Sequence, residues 1–204
     1  MIKRTTGRLL LTLLVTTGLA GTLNNSSLSQ KERKQAINLI KNSRKEVLNS
    51  IEGLSARQLK YKPSPKEASI GELIMTLAWK EKNFSRQIKT FMDEPANSEN
   101  RLKIAVTDEQ LLANDNYTLC KMDIPPGNKA EWKNPGEAIK KYIALANDHI
   151  KYIRTSTEDL RNHVVKTYAG WIDCYQYYLL MADQNGFIAG QFSKIKSLPR
   201  FPKK

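Results

Sequence analysis

The chain has 204 residues, enough for one domain with its own core plus a short additional segment. Its 40% apolar content, with 10 glycines and 8 prolines, fits an ordinary globular protein, and no internal repeat or low-complexity tract is present. The net charge of +13 admits anionic partners, from phospholipid to surface polymers. The basic residues are nevertheless scattered through the helices instead of forming one block, and no nucleic-acid motif accompanies them, so specific nucleic-acid binding is not expected.

Residues 1–20 differ from the rest. Lys3, Arg4 and Arg8 precede an uncharged run from Leu9 to Ala20, with small residues at Gly18 and Ala20. A bilayer-spanning helix takes about 20 apolar residues, so this run is too short. The basic start and short apolar middle predict a signal peptide cleaved after Ala20, hence export to the periplasm or beyond the cell. Removing those three basic residues lowers the charge from +13 to +10. Residues 21–28 then read as a polar leader, and residues 29–202 as the folded domain.

Ser29-Gln30-Lys31-Glu32 is a capping-box pattern, and Ile37, Ile40, Val47, Leu48 and Ile51 recur behind it at helical spacing. Gly53 stops this first helix, and a connection punctuated by Pro63 and Pro65 follows. Ser69-Ile70-Gly71-Glu72 is a second capping box. It opens a helix whose apolar face is Ile70, Leu73, Ile74, Leu77, Phe84, Ile88 and Phe91. From Asp93 to Lys133 the periodicity fades, apart from a short helix expected over 107–112. Asn134-Pro135-Gly136-Glu137 starts a third long helix, with Ile139, Tyr142, Ile143, Ala146, Ile150 and Ile153 as its stripe. A short connection leads to GWIDCYQYYLLMADQNGFIAGQFSKIK, read as the last helix from Gly170, and to the proline-broken tail SLPRFP. Four long amphipathic helices without a convincing strand predict an all-α fold, a four-helix bundle with a long connection between its second and third helices.

Several of these features together resemble the DinB-like superfamily. They are the Leu-Ser turn at Leu54-Ser55 leading to the Ser69-Ile70-Gly71-Glu72 cap, the long second connection, and the ending from Gly170-Trp171 to Phe201-Pro202. The resemblance covers about residues 29–202. It implies a site in which three histidines hold a divalent metal, commonly for thiol transfer or hydrolysis. One of those histidines lies seven residues after the cap serine, where this chain has Thr76. The other two form a His-x-x-x-His pair followed by Gln and a hydrophobic residue. Gln191-Phe192 matches that trailing pair, while the histidine positions read Gln184 and Ile188. Isoleucine offers no donor, and a hydroxyl and an amide are poor ligands for such ions. The expectation is therefore a domain without metal or other cofactor and without catalysis, whose former site is a pocket lined by Thr76, Trp79, Tyr175, Gln184 and Ile188, or is packed shut. The small residues Ala182, Gly186 and Gly190 would decide which.

The competing reading is a thiol-dependent transferase or hydrolase of the same class with a substituted site, using Cys174 near a helix start, where a thiolate would be stabilised. His149 and His163 are the only histidines, and packing roles suit both. An unknown small ligand, anionic surface polymers and a homodimer remain open as partners. Export would also allow a Cys120–Cys174 disulfide, stabilising by about 3–5 kcal/mol. N-terminal sequencing of the protein from its native host should find Gly21 first. A soluble species retaining Met1 would refute export.

Overall fold

The structure is a computed structural model that describes residues 27–113 and 131–203. The signal-peptide reading and the Cys120 half of the disulfide fall outside these residues. The described chain is mostly helical. Helix α1 spans Gln30–Ile51, α2 Ala56–Lys60, α3 Ile70–Asp93, α4 Asp108–Leu112, α5 Pro135–Thr155 and α6 Cys174–Lys196. A 3-10 turn covers Ser98–Lys103. No described helix is long and apolar enough to cross a membrane.

The helix starts follow from local chemistry. Ser29 and Ser69 each accept from the backbone amide three residues on, at 3.3 and 3.2 Å, while Glu32 and Glu72 reach back to the cap amides. Asn134 accepts from Glu137 N–H at 2.9 Å, with Pro135 in the first turn. At the first turn of α3 a side chain would obstruct packing. A Cβ on Gly71 would meet the Leu59 carbonyl oxygen and the Pro135 ring at 3.0 Å, so glycine lets α2 and the start of α5 close onto α3.

The long helices pack in a closed order: α6 against α1 and α3, and α5 against α3 and α1. Their apolar faces form two clusters. One gathers Ile40, Phe84, Ile150, Tyr175 and Leu179; the other gathers Val47, Ile74, Leu77, Tyr142, Ile188 and Phe192. Each long helix also buries a polar side chain: Ser43 on α1, Glu81 on α3, His149 on α5 and Asn185 on α6. The tail returns to the base of the bundle, where Phe201 packs edge-on against Tyr61 at 5.5 Å and the Pro202 carbonyl accepts from Gln58 Nε2 at 3.0 Å.

Two expectations are corrected here. The chain contains an antiparallel hairpin, β1 (Val164–Thr167) and β2 (Gly170–Asp173), pairing Val164 with Asp173 and Thr167 with Gly170. The last helix accordingly begins at Cys174, not Gly170. Gly170 holds φ +94°, a left-handed conformation suited to glycine, and closes the turn through Tyr168 and Ala169. Asp173 then caps α6, accepting from Gln176 N–H at 2.7 Å. The side-chain amide and carbonyl of Asn97 clamp β1 by bonding both backbone groups of Val164, at 3.0 and 2.8 Å.

Arg161, just before the hairpin, joins these parts. Its guanidinium donates to both Asp108 oxygens at 3.0 and 2.6 Å, to Asp173 Oδ2 at 2.9 Å and to Glu32 Oε1 at 2.8 Å. It also lies over the Tyr175 ring, 4.1 Å from the centroid. Burial opposes its charge, but the bonds to Asp108 and the field of Asp173 more than offset this and hold the guanidinium above its ordinary range. Replacing Arg161 by Met would leave the buried Asp173 with only Arg101, 3.7 Å away, as a cation. Chemical denaturation should show a loss of about 3 kcal/mol, the scale for breaking one side of a largely buried pair. An unchanged midpoint would show that the cluster contributes nothing.

Candidate functional site

The positions that the resemblance sets opposite the family's histidines lie on α3 and α6, which pack on each other. Thr76 is half-buried, and its hydroxyl donates back to the Glu72 carbonyl of its own helix at 3.0 Å. Gln184 is buried, and its amide donates to the Tyr168 hydroxyl at the hairpin turn. Ile188 belongs to the cluster containing Ile74, Leu77 and Ala78, against which Trp79 also packs. Tyr175 departs from the expected set. It lies nine residues before Gln184, about 13 Å along the helix axis, and its hydroxyl donates to the Glu32 carbonyl at 3.1 Å.

Beside Gln184 the space between α3 and α6 is nearly closed. A cavity of about 20 Å³ remains, lined by Lys80, Glu81, Phe84, Tyr168, Gln184 and Asn185 among others. That is room for one water. The small-residue strip faces elsewhere than expected: a Cβ on Gly186 would meet Glu46 Oε2 of α1 at 3.4 Å, and one on Gly190 would meet nothing within 4 Å. Among the described residues no group of three His, Cys, Asp or Glu side chains is placed to hold a metal ion.

The most unusual side chain of the interior is Glu81, which is fully buried. Asn185 Nδ2 donates to its Oε2 at 3.1 Å, and Oε1 has no partner. Burial pushes its carboxyl up to about 7, against a small opposing effect of the Asn185 bond. Only its helical position marks it in sequence; nothing local announces the burial.

Both histidines are in packed surroundings. His163 sits between the carbonyls of Asp159 and Glu94, with its ring nitrogens 2.7 and 3.0 Å from them. His149 stacks among Phe84 and Tyr178, centroids 5.2 and 5.6 Å away, with Nε2 2.8 Å from Ser85 Oγ. Burial pushes its imidazole down to about 4. The thiolate reading of Cys174 fails on the same physics. The residue does open α6, but its side chain is buried, and burial pushes the thiol up to about 12, with the Asp173 charge adding to the effect.

These features define a mostly helical bundle protein with a buried carboxyl group and no clustered metal donors among the described residues. The chain belongs to the DinB superfamily, whose family model matches residues 39–183. The match contains Thr76 and ends one residue before Gln184. No curated protein and no solved structure shows a significant match to the chain.

Glu81 supplies a pH test. An acid whose folded pKa is raised from 4.5 to about 7 costs nothing below about 4.5, where both states are protonated. The penalty grows as pH rises between those values and is complete above the upper one, at up to roughly 3 kcal/mol. Glu81→Gln should therefore stabilise the protein at pH 8, with a gain that vanishes near pH 4. Thermal unfolding of parent and variant across that range measures it, and the His149 contribution cancels in the difference. A gain independent of pH would mean that Glu81 is not the titrating group.

Proposed function

We propose that the chain is an exported, non-catalytic DinB-type four-helix bundle that acts by binding a small ligand. The observation that carries this reading is the commitment of the three family ligand positions to other work. Thr76 bonds its own helix, Gln184 bonds Tyr168, and Ile188 fills the core. This donor set does not fit the family's divalent ion: one side chain has no lone pair, and the other two are neutral oxygen donors without an imidazole. The high thiol pKa of Cys174 likewise argues against the alternative of a thiol-dependent transferase. What remains is a helical scaffold whose larger concave surfaces lie outside that site.

Elemental analysis of protein purified without chelator should find well under one transition-metal ion per chain, and unfolding should be unchanged by added chelator. One ion per chain, lost in Thr76→Ala or Gln184→Ala, would overturn the reading.

A further inference from the structure

A groove of about 450 Å³ opens between α3 and α5, with Glu158 from the connection after α5 and Tyr178 from α6 completing it. This is within the size range of small-molecule sites. Its apolar wall is formed by Ile88, Met92, Leu145, Tyr152 and Tyr178, with the two tyrosine rings stacked 6.0 Å apart. His149 lines the same groove and is only 4% exposed.

The hydrogen bonds around His149 fix its acceptor. The Ser85 hydroxyl donates to the Glu81 carbonyl at 3.0 Å, using its one proton. Its oxygen must then accept from His149 Nε2–H, at 2.8 Å. Nδ1 is left as a lone-pair acceptor, buried and with no partner in the protein. Such an atom is costly unless something donates to it.

The charges at the groove have the opposite sign to the protein as a whole. Lys89 is its one lysine or arginine, and it is engaged by Asp93 at 2.6 and 3.0 Å. Asp148 and Glu158 also line it, and neither forms an ion pair among the described residues. Glu158 accepts from the Tyr152 hydroxyl at 2.5 Å, which ties one carboxylate to the aromatic wall. On a chain of net charge +13 this is a local acidic site. The similar-sized groove beside Tyr61 and Leu198 presents Lys194 and Arg200, and neither buried unpartnered atom lies in it.

We propose that the His149 groove binds a small organic ammonium ion. Its apolar body lies against Tyr152, Tyr178, Met92 and Leu145. Its N–H groups are shared between the carboxylates of Asp148 and Glu158, and one reaches His149 Nδ1, a buried acceptor that is uncovered as the groove opens around the ligand. The proposal rests on the ligand-binding reading above and names the site and the chemical class. Anions are excluded by the two carboxylates, and a neutral analogue can satisfy Nδ1 but not the charge.

The test uses the mature chain with 2-phenylethylamine, phenylacetate and 2-phenylethanol as size-matched cation, anion and neutral probes. Calorimetry gives affinity, and nitrogen-15 chemical shifts locate the bound probe, with the His149 ring nitrogens as direct reporters. The amine should bind saturably, moving the Nδ1 resonance. Phenylacetate should not bind, and the alcohol should bind at least about tenfold more weakly. Asp148→Asn, an exposed change that leaves the core intact, should weaken the amine by roughly tenfold, and added salt should weaken it further. Phenylacetate binding equally well, amine shifts that map to the Tyr61 groove, an Asp148→Asn variant with parental affinity, or no amine binding at millimolar concentration would each overturn the inference. Failure of the amine in a protein free of bound metal removes this site alone. A stoichiometric metal lost in Thr76→Ala would remove the functional reading whatever the amine does.

Discussion

The bond network around Arg161 is the constraint on which much of the arrangement depends. One guanidinium holds the first turn of α1 through Glu32, the short α4 through Asp108 and the cap of α6 through Asp173. Asp173 has two duties, because the same carboxylate also caps the α6 amides. The geometry of the hairpin follows from this. β2 must end where Asp173 can face both the helix and the arginine, and Cys174 N–H is shared between the Leu160 and His163 carbonyls at 3.1 and 2.9 Å. A planar donor with five N–H groups suits such a junction better than an ammonium would.

The sequence was most legible where the physics is local. The starts at Ser29, Ser69 and Asn134 lie where the caps predict, because a cap and its partner are three residues apart and need no tertiary context. The short helix after Thr107 follows the same rule. The hairpin was missed because two four-residue strands carry almost no period, and Trp171, Ile172 and Tyr175 blend into the apolar stripe of α6. Asp173 followed by Gln176 was the available signal: a capping box that sets the helix start three residues after Trp171. Arg161 and Glu81 were not legible at all. Each is defined by partners far along the chain, and single-sequence patterns do not report which distant side chain will be adjacent.

The site was legible only by comparison. Thr76, Gln184 and Ile188 gain meaning only from the resemblance, since nothing in their own spacing suggests a metal centre. The family match supports the scaffold, and the structure gives Thr76 and Gln184 local hydrogen bonds. His149 had the opposite history. As a lone histidine on an amphipathic helix it suggested packing, and it does pack. Its groove and its unused nitrogen depend on Ser85 and Tyr178, from two other helices.

The basic surplus is not all surface. Arg33 donates to the Ile153 and Ser156 carbonyls at 2.6 and 2.7 Å, closing the C-terminal end of α5, and Lys196 donates to the Ser50 carbonyl at 2.9 Å, closing that of α1. These cations neutralise helix ends, and part of their field is consumed there. The electrostatic potential felt by an approaching polyanion is therefore weaker than the residue count suggests. A reagent that acetylates lysine would act twice on such a molecule: it would lower the outer potential at the exposed faces, and at Lys196 it would loosen the end of a neighbouring helix.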